Sequence, residues 1–141
     1  MYVIVVGGGQ VGAALAQSLL DQQHELPVIE RNAERAEKLR EHLGSAVATG
    51  DGCEVATLEE AGAERADAFI AATEQDEDNL VAAQVARHRF HVQQVVARVN
   101  ARRNQRIFSA LGFQSTVNVV ESLANDMLRR LLEPAGHARR P

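Results

Sequence analysis

Tryptophan is absent from the 141 residues, cysteine occurs once, and the fifteen lysines and arginines include a single lysine. One cysteine, Cys53, excludes an intrachain disulfide and a cysteine-rich zinc site. The lone Lys38 sits in a polar helical stretch away from the glycines. A P-loop ATPase needs its lysine directly after the glycine-rich loop, so that class is excluded, and Schiff-base chemistry at a buried lysine goes with it. Aromatics are only 4% of the chain, which predicts a core built from Val, Ala, Leu and Ile. No apolar run approaches the ~20 residues of a membrane span, and the first residues read as a strand rather than a signal peptide. A net charge of -4 and a pI near 5.7 argue against a dedicated nucleic-acid binder. These absences leave a soluble, cytoplasmic protein with no nucleic-acid partner and no direct membrane insertion as the expectation.

What remains is apolar enough to fold: 45% of the residues are hydrophobic and 24% charged, in a length suited to one domain. Short apolar runs alternate with helical periodicity throughout. Strands are expected at Tyr2 to Val6, Leu26 to Ile29, Ala46 to Ala48, Ala68 to Ala72, Gln94 to Val99 and Thr116 to Val119. Helical spacing connects them, with a short helix over Val55 to Ala61 and a closing amphipathic helix carrying Val120, Leu123, Ala124, Met127, Leu128 and Leu131. This rhythm predicts right-handed βαβ units. It points to a Rossmann-type, doubly wound α/β fold with a mostly parallel six-stranded sheet in the order 3-2-1-4-5-6. The domain is expected over residues 1–132, with a flexible tail over 133–141. Pro27 cannot donate to a ladder and is expected at the first position of the second strand.

Gly7-Gly8-Gly9-Gln10-Val11-Gly12 follows the first strand and opens the first helix. In such a turn Gly7 permits the tight bend, Gly9 lets a pyrophosphate approach the backbone, and Gly12 lets helix and strand pack closely. The helix N-terminus adds unpaired N–H groups and a positive dipole end. Glu30, at the end of the second strand, completes the fingerprint. Its carboxylate can accept hydrogen bonds from both hydroxyls of an adenosine ribose and repels a 2′-phosphate, favouring NAD over NADP. Arg31 beside it can instead receive such a phosphate or stack on adenine.

Gly50-Asp51-Gly52-Cys53 follows the third strand at the same sheet edge. Asp51 either caps the next helix or contacts the adenine end of a ligand. Thr73 and Glu74 follow the fourth strand, where the strand order reverses and ligands sit. Asp76 and Asp78 read as ordinary N-terminal helix acids. Arg98 ends the fifth strand, facing the same crevice, while Arg102, Arg103 and Arg106 read as a solvated face of the next helix. His88 and His91 have no third metal ligand nearby, and Cys53 reads as a packing residue. No catalytic apparatus is apparent, and the substrate region that a dehydrogenase needs is not present. The alternative is the cofactor half of an NAD-dependent oxidoreductase whose substrate domain lies on another chain.

The combined pattern resembles the N-terminal regulator-of-potassium-conductance (RCK, TrkA-N) family. The resemblance runs from Gly7 to Gly12 through Val28-Ile29-Glu30, Gly50-Asp51, Leu58 to Ala63 and Ala66-Asp67-Ala68. It continues through Ala72-Thr73 with Asp76 and Asn79, Val96 to Val99 and Leu111-Gly112-Phe113. It implies a non-enzymatic cytoplasmic regulator that binds NAD or NADH, alternatively ATP, ADP or AMP. Such a regulator controls a membrane potassium transporter subunit from the inner face of the cell membrane. Ligand contacts carried over by position are Gly7 through Val11, Glu30, Thr73, Glu74 and Arg98, with Asp51 as a further candidate. The family usually has Asp at the position of Glu30. Gln10 stands where ATP-binding relatives tend to carry arginine, which favours NAD(H). The resemblance also implies a homodimer through the closing helix, with a higher-order ring as a further possibility. The family's companion C-terminal domain lies outside these residues.

Overall fold

The computed structural model of the protein describes residues 1–134. The apolar runs become six strands: β1 (Val3–Val6), β2 (Val28–Glu30), β3 (Val47–Thr49), β4 (Ala68–Ala71), β5 (Gln94–Val99) and β6 (Thr116–Asn118). They form one sheet in the order β3-β2-β1-β4-β5-β6, and every pairing is parallel. Six helices connect and close them: α1 (Gln10–Asp21), α2 (Ala33–Leu43), α3 (Val55–Glu60), α4 (Asp76–Gln84), α5 (Gln105–Ala110) and α6 (Val119–Leu131). The expected doubly wound order is the observed one. From residue 135 on, the expected tail lies outside the described residues.

Several strand ends move by one or two positions, for local reasons. Tyr2 makes only an isolated bridge to Glu25. Pro27 lies just before β2 rather than within it. Lacking an N–H, it contributes only its carbonyl, which accepts from Val5 N at 3.0 Å. Ala46 falls in a 3-10 turn (Gly44–Ala46) before β3. Val119 already belongs to α6, because Asn118 caps that helix through Glu121 N at 3.1 Å. Asn32 caps α2 in the same way, accepting from Arg35 N at 2.9 Å. Arg102 and Arg103 lie in a 3-10 turn (Arg102–Asn104) ahead of α5 rather than on the helix itself.

Alternation along β1 divides the core into two layers. Val3 and Val5 pack with Val28 against Ala16, Leu19 and Leu20 of α1 and Leu39 and Leu43 of α2. Ile4 and Val6 pack with Ile29, Phe69 and Val95 against Leu58 of α3, Ala82 and Ala83 of α4 and Phe108 of α5. The aliphatic core expected from composition needs one correction. All four phenylalanines are buried, with Phe69, Phe108 and Phe113 at most 1% exposed and Phe90 at 5%. They fill one layer, to which α4 contributes the small Ala82 and Ala83.

Helix α6 is different. None of its residues is buried, and Val120, Leu123, Met127, Leu128 and Leu131 are 48–77% exposed. Its apolar stripe therefore does not pack on the chain's own sheet. Among the described residues no helix is long and apolar enough to cross a membrane.

Candidate nucleotide-binding crevice

The register brings the carboxyl ends of β1, β2 and β4 level, with Val6 beside both Ile29 and Ala71. Beyond these ends the ladder continues for one more step. Gly7 N donates to Ile29 O at 2.9 Å, Ala72 N to Val6 O at 2.8 Å, and Gly50 N to Glu30 O at 3.0 Å. The chain then diverges to opposite faces of the sheet at β1 and β4, and a crevice of about 470 Å³ opens there. This is the switch point where doubly wound sheets hold ligands, at a volume ordinary for a small-molecule site.

The glycine-rich turn forms the crevice floor. Gly7 has φ +108°, a backbone conformation open to glycine and strained for other residues. An added Cβ there would also meet the Ala72 backbone at 3.0 Å. At Gly12 it would stand 2.8 Å from the Gly7 carbonyl carbon and nearer still to its oxygen. Helix α1 therefore starts directly against the turn, and its first-turn N–H groups have no intrahelical partner.

Of the expected contacts, the structure gathers Gly7, Gly9, Glu30, Arg31, Asp51, Thr73, Glu74 and Arg98 around the crevice. Gly8, Gln10, Val11 and Gly12 do not line it. Gln10 and Val11 are exposed at the start of α1 and Gly12 is buried. Gly8 borders a shallow groove between α1 and α2, and its N–H already donates to Glu30 Oε1 at 2.8 Å.

Glu30 carries more structure than its sequence position suggests. It is 6% exposed; Oε1 accepts from Gly8 N, and Oε2 accepts from Asn32 N at 2.8 Å. The carboxylate thus ties the glycine-rich turn to the start of α2 and still faces the crevice. Asp51 does not cap α3. Its Oδ1 accepts from Cys53 N at 2.9 Å and stabilises the Gly50–Cys53 turn, while Glu54 takes the cap position without a side-chain bond. Cys53 is half-buried beside it. Burial, with the carboxylates of Asp51 and Asp78 nearby, pushes its thiol up to about 11, so it stays protonated and unreactive at neutral pH.

Sequence reasoning missed a polar network behind Thr73. Asn79 is fully buried. Its Oδ1 accepts from Thr73 N and Oγ1, at 2.9 and 2.7 Å, and its Nδ2 donates to Thr73 O and Arg98 O, at 2.9 and 3.0 Å. Asp76, expected to be an ordinary helix acid, is 7% exposed. Oδ1 accepts from Asn100 N and Nδ2 at 2.6 and 2.9 Å; Oδ2 accepts from Ala101 N and Asn104 Nδ2 at 2.9 and 2.8 Å. Burial alone would raise its pKa, but these donors outweigh it and hold the carboxyl below the ordinary carboxylate range. Asp78 is not idle either: it lines the crevice and pairs with Arg31 at 3.5 Å. The visible signal for the network was Asp76 and Asn79 three apart on the first turn of α4.

The cations of the crevice divide by their partners. Arg31 pairs with Asp78, and Arg35, reaching over from α2, stands 3.6 Å from Glu30 Oε1. Arg98 makes no ion pair among the described residues; its Nε donates to the neutral Asn100 Oδ1 at 2.7 Å. Glycine backbone, the Glu30 carboxylate and a guanidinium with no carboxylate partner among the described residues thus line one cavity. Among the described residues no group of three His, Cys, Asp or Glu is placed to hold a metal ion.

Fold and crevice together define a Rossmann-type domain with a crevice at its switch point. The chain belongs to the TrkA-N domain family, which it matches over residues 3–119. It is 42% identical over 136 residues to the Trk system potassium uptake protein TrkA of Streptomyces coelicolor, covering 96% of this chain and 60% of that one. This chain thus spans about three fifths of that relative's length. The TrkA-N domain of the inner membrane protein ybaL from Escherichia coli superposes with a TM-score of 0.83 at 26% identity, covering 94% of this chain and 96% of that one. The GsuK channel bound to NAD gives 0.78 at 26% identity over 91% of this chain and 22% of that one.

Proposed function

We propose that this chain is a non-enzymatic nucleotide sensor that binds NAD or NADH in the crevice and regulates a membrane potassium transporter. The observation that carries the reading is Glu30 held against the glycine-rich turn, at the sheet's switch point. The ligand's adenosine ribose lies on Glu30, its pyrophosphate over Gly7 and Gly9 at the start of α1, and Arg31, Asp51, Thr73, Glu74 and Arg98 surround it. Gln10 and Val11 contribute through backbone N–H groups rather than side chains. Partnership with a potassium transporter at the inner face of the cell membrane draws its support from the TrkA relatives and the GsuK channel. The exposed stripe of α6 supports a homodimer.

Calorimetric titration with NAD, NADH, NADP, ATP and ADP tests the reading. Tighter binding of NAD or NADH than of NADP, with no hydride transfer to added acceptors, is the expected result. Turnover with an acceptor would favour the oxidoreductase alternative, and silence with every nucleotide would remove the crevice from consideration.

A further inference from the structure

We propose that Asn100 is a positioning residue that presents Arg98 to the phosphate of a bound nucleotide; this rests on the crevice being the nucleotide site proposed above. Three arginines line that crevice, and two of them are paired with carboxylates. Arg98 alone among these three has no carboxylate partner among the described residues. A guanidinium on a flexible stem normally spends conformational entropy to meet a phosphate. Here the Nε–H is fastened to Asn100 Oδ1 at 2.7 Å, which fixes the plane of the fork and leaves the terminal nitrogens free. A carboxylate in Asn100's place would fix the same plane but cancel the charge.

The orientation of the Asn100 amide follows from its other neighbours. Its Nδ2 donates to Asp76 Oδ1 at 2.9 Å and to Thr73 O at 3.2 Å, both of which only accept. The NH₂ must face them, so the oxygen must face Arg98. The backbone N–H of Asn100 adds a third tie, 2.6 Å to Asp76 Oδ1. Asp76 in turn is locked by four donors from the segment after β5. A buried carboxylate at the start of α4 thereby sets an amide, and the amide sets a cation in the crevice. Thr73, a lining residue, shares that lattice through its carbonyl.

A double-mutant cycle with ADP and NAD as probes, read by calorimetry, tests this. Arg98→Ala and Asn100→Ala should each weaken both nucleotides about 10-fold or more, the scale of one charge-assisted hydrogen bond. The double variant should bind no worse than Arg98→Ala, because Asn100 acts only through Arg98. Additive losses would overturn the proposal, since a merely structural role harms binding whether or not Arg98 is present. Arg98→Lys provides the second arm, independent of whether Asn100→Ala folds. It keeps the charge but loses the Nε donor, and is expected to bind as weakly as Arg98→Ala; wild-type affinity would overturn the proposal. If the unmodified chain binds neither nucleotide, the sensor reading fails and takes this one with it. Normal binding by the unmodified chain with uncoupled variants sinks the positioning role alone.

Discussion

Gly12, in the first turn of α1, lies so close to Gly7 that a single added methyl would run into the Gly7 carbonyl. Gly9, three residues earlier, has room for one: the nearest atoms to an added Cβ are Arg35 Nη1 and Glu74 Oε1, both at 3.6 Å. Packing therefore holds position 12 to glycine, whereas position 9 is held to glycine only by the ligand approach proposed above. Gly12→Ala should destabilise the protein by roughly 1–3 kcal/mol or more, as overpacking against fixed backbone does. Gly9→Ala should leave the urea midpoint unchanged and weaken nucleotide binding. A Gly9→Ala variant that binds as well as the parent would mean that the ligand does not cross the turn.

Glu30 is expected to contribute twice. Its oxygens satisfy Gly8 N and Asn32 N, and the same residue lines the crevice. Glu30→Ala should weaken NAD by about 10- to 150-fold, the range for a hydrogen bond to a charged group. It should also cost roughly 1–3 kcal/mol of stability, because two backbone donors lose their acceptor. Glu30→Gln retains one acceptor oxygen and should fall between the two in both assays. Unchanged NAD affinity in Glu30→Ala would refute the ribose assignment.

The legible and illegible parts of the site differ in how far apart their residues lie in sequence. Gly7 through Gly12 is one contiguous turn whose backbone demands can be read directly, and Glu30 follows from where β2 must end. The alternation of apolar runs also implied the strand order, since crossover handedness leaves few alternatives. Asp76 and Asn100 are 24 residues apart and meet only because β4 and β5 pair in register. The spacing of Asp76 and Asn79 on the first turn of α4 is the one local hint, and it does not say that Asp76 rather than Glu77 or Asp78 turns inward. Arg35 escaped notice for a related reason: it is one polar residue on a polar helix face, and only the packing of α2 on the sheet brings it to Glu30. For Asp51, which lines the crevice as expected, only the capping alternative falls, because capping and turn chemistry demand the same residue type and geometry alone separates them.

Asp76 predicts an acid limit to stability. Its folded pKa lies below the ordinary carboxylate value, so the folded state favours the ionised form. The resulting stabilisation is complete above the unfolded pKa of about 4 and is lost as pH falls below that through the lower folded value. Asp76→Asn should cost about 1–3 kcal/mol at pH 7, since an amide offers one acceptor oxygen to four donors. The difference between parent and variant in urea unfolding should shrink steadily as the pH drops below about 4. A difference that stays constant over that range would show that Asp76 is not ionised in the fold.

Helix α6 carries the prediction about assembly. Val120, Leu123, Met127, Leu128 and Leu131 are 48–77% exposed, while Arg129 and Arg130 pair with Asp126 on its polar side. The stripe is a continuous apolar surface on a helix that contributes no buried residue to its own domain. Each large apolar side chain contributes about 1.5–3 kcal/mol when fully buried, so four of them on each of two copies offset an association cost of about 4–15 kcal/mol. A two-fold pairing of this helix with its copy lets the same stripe cover itself. The crevice lies at the ends of β1, β2 and β4, built from residues outside α6, so pairing and ligand binding are separable by mutation. Leu128→Asp or Leu131→Asp should convert a dimer to a monomer in sedimentation equilibrium while NAD affinity persists. A monomer for the unmodified chain at tens of micromolar would refute the pairing.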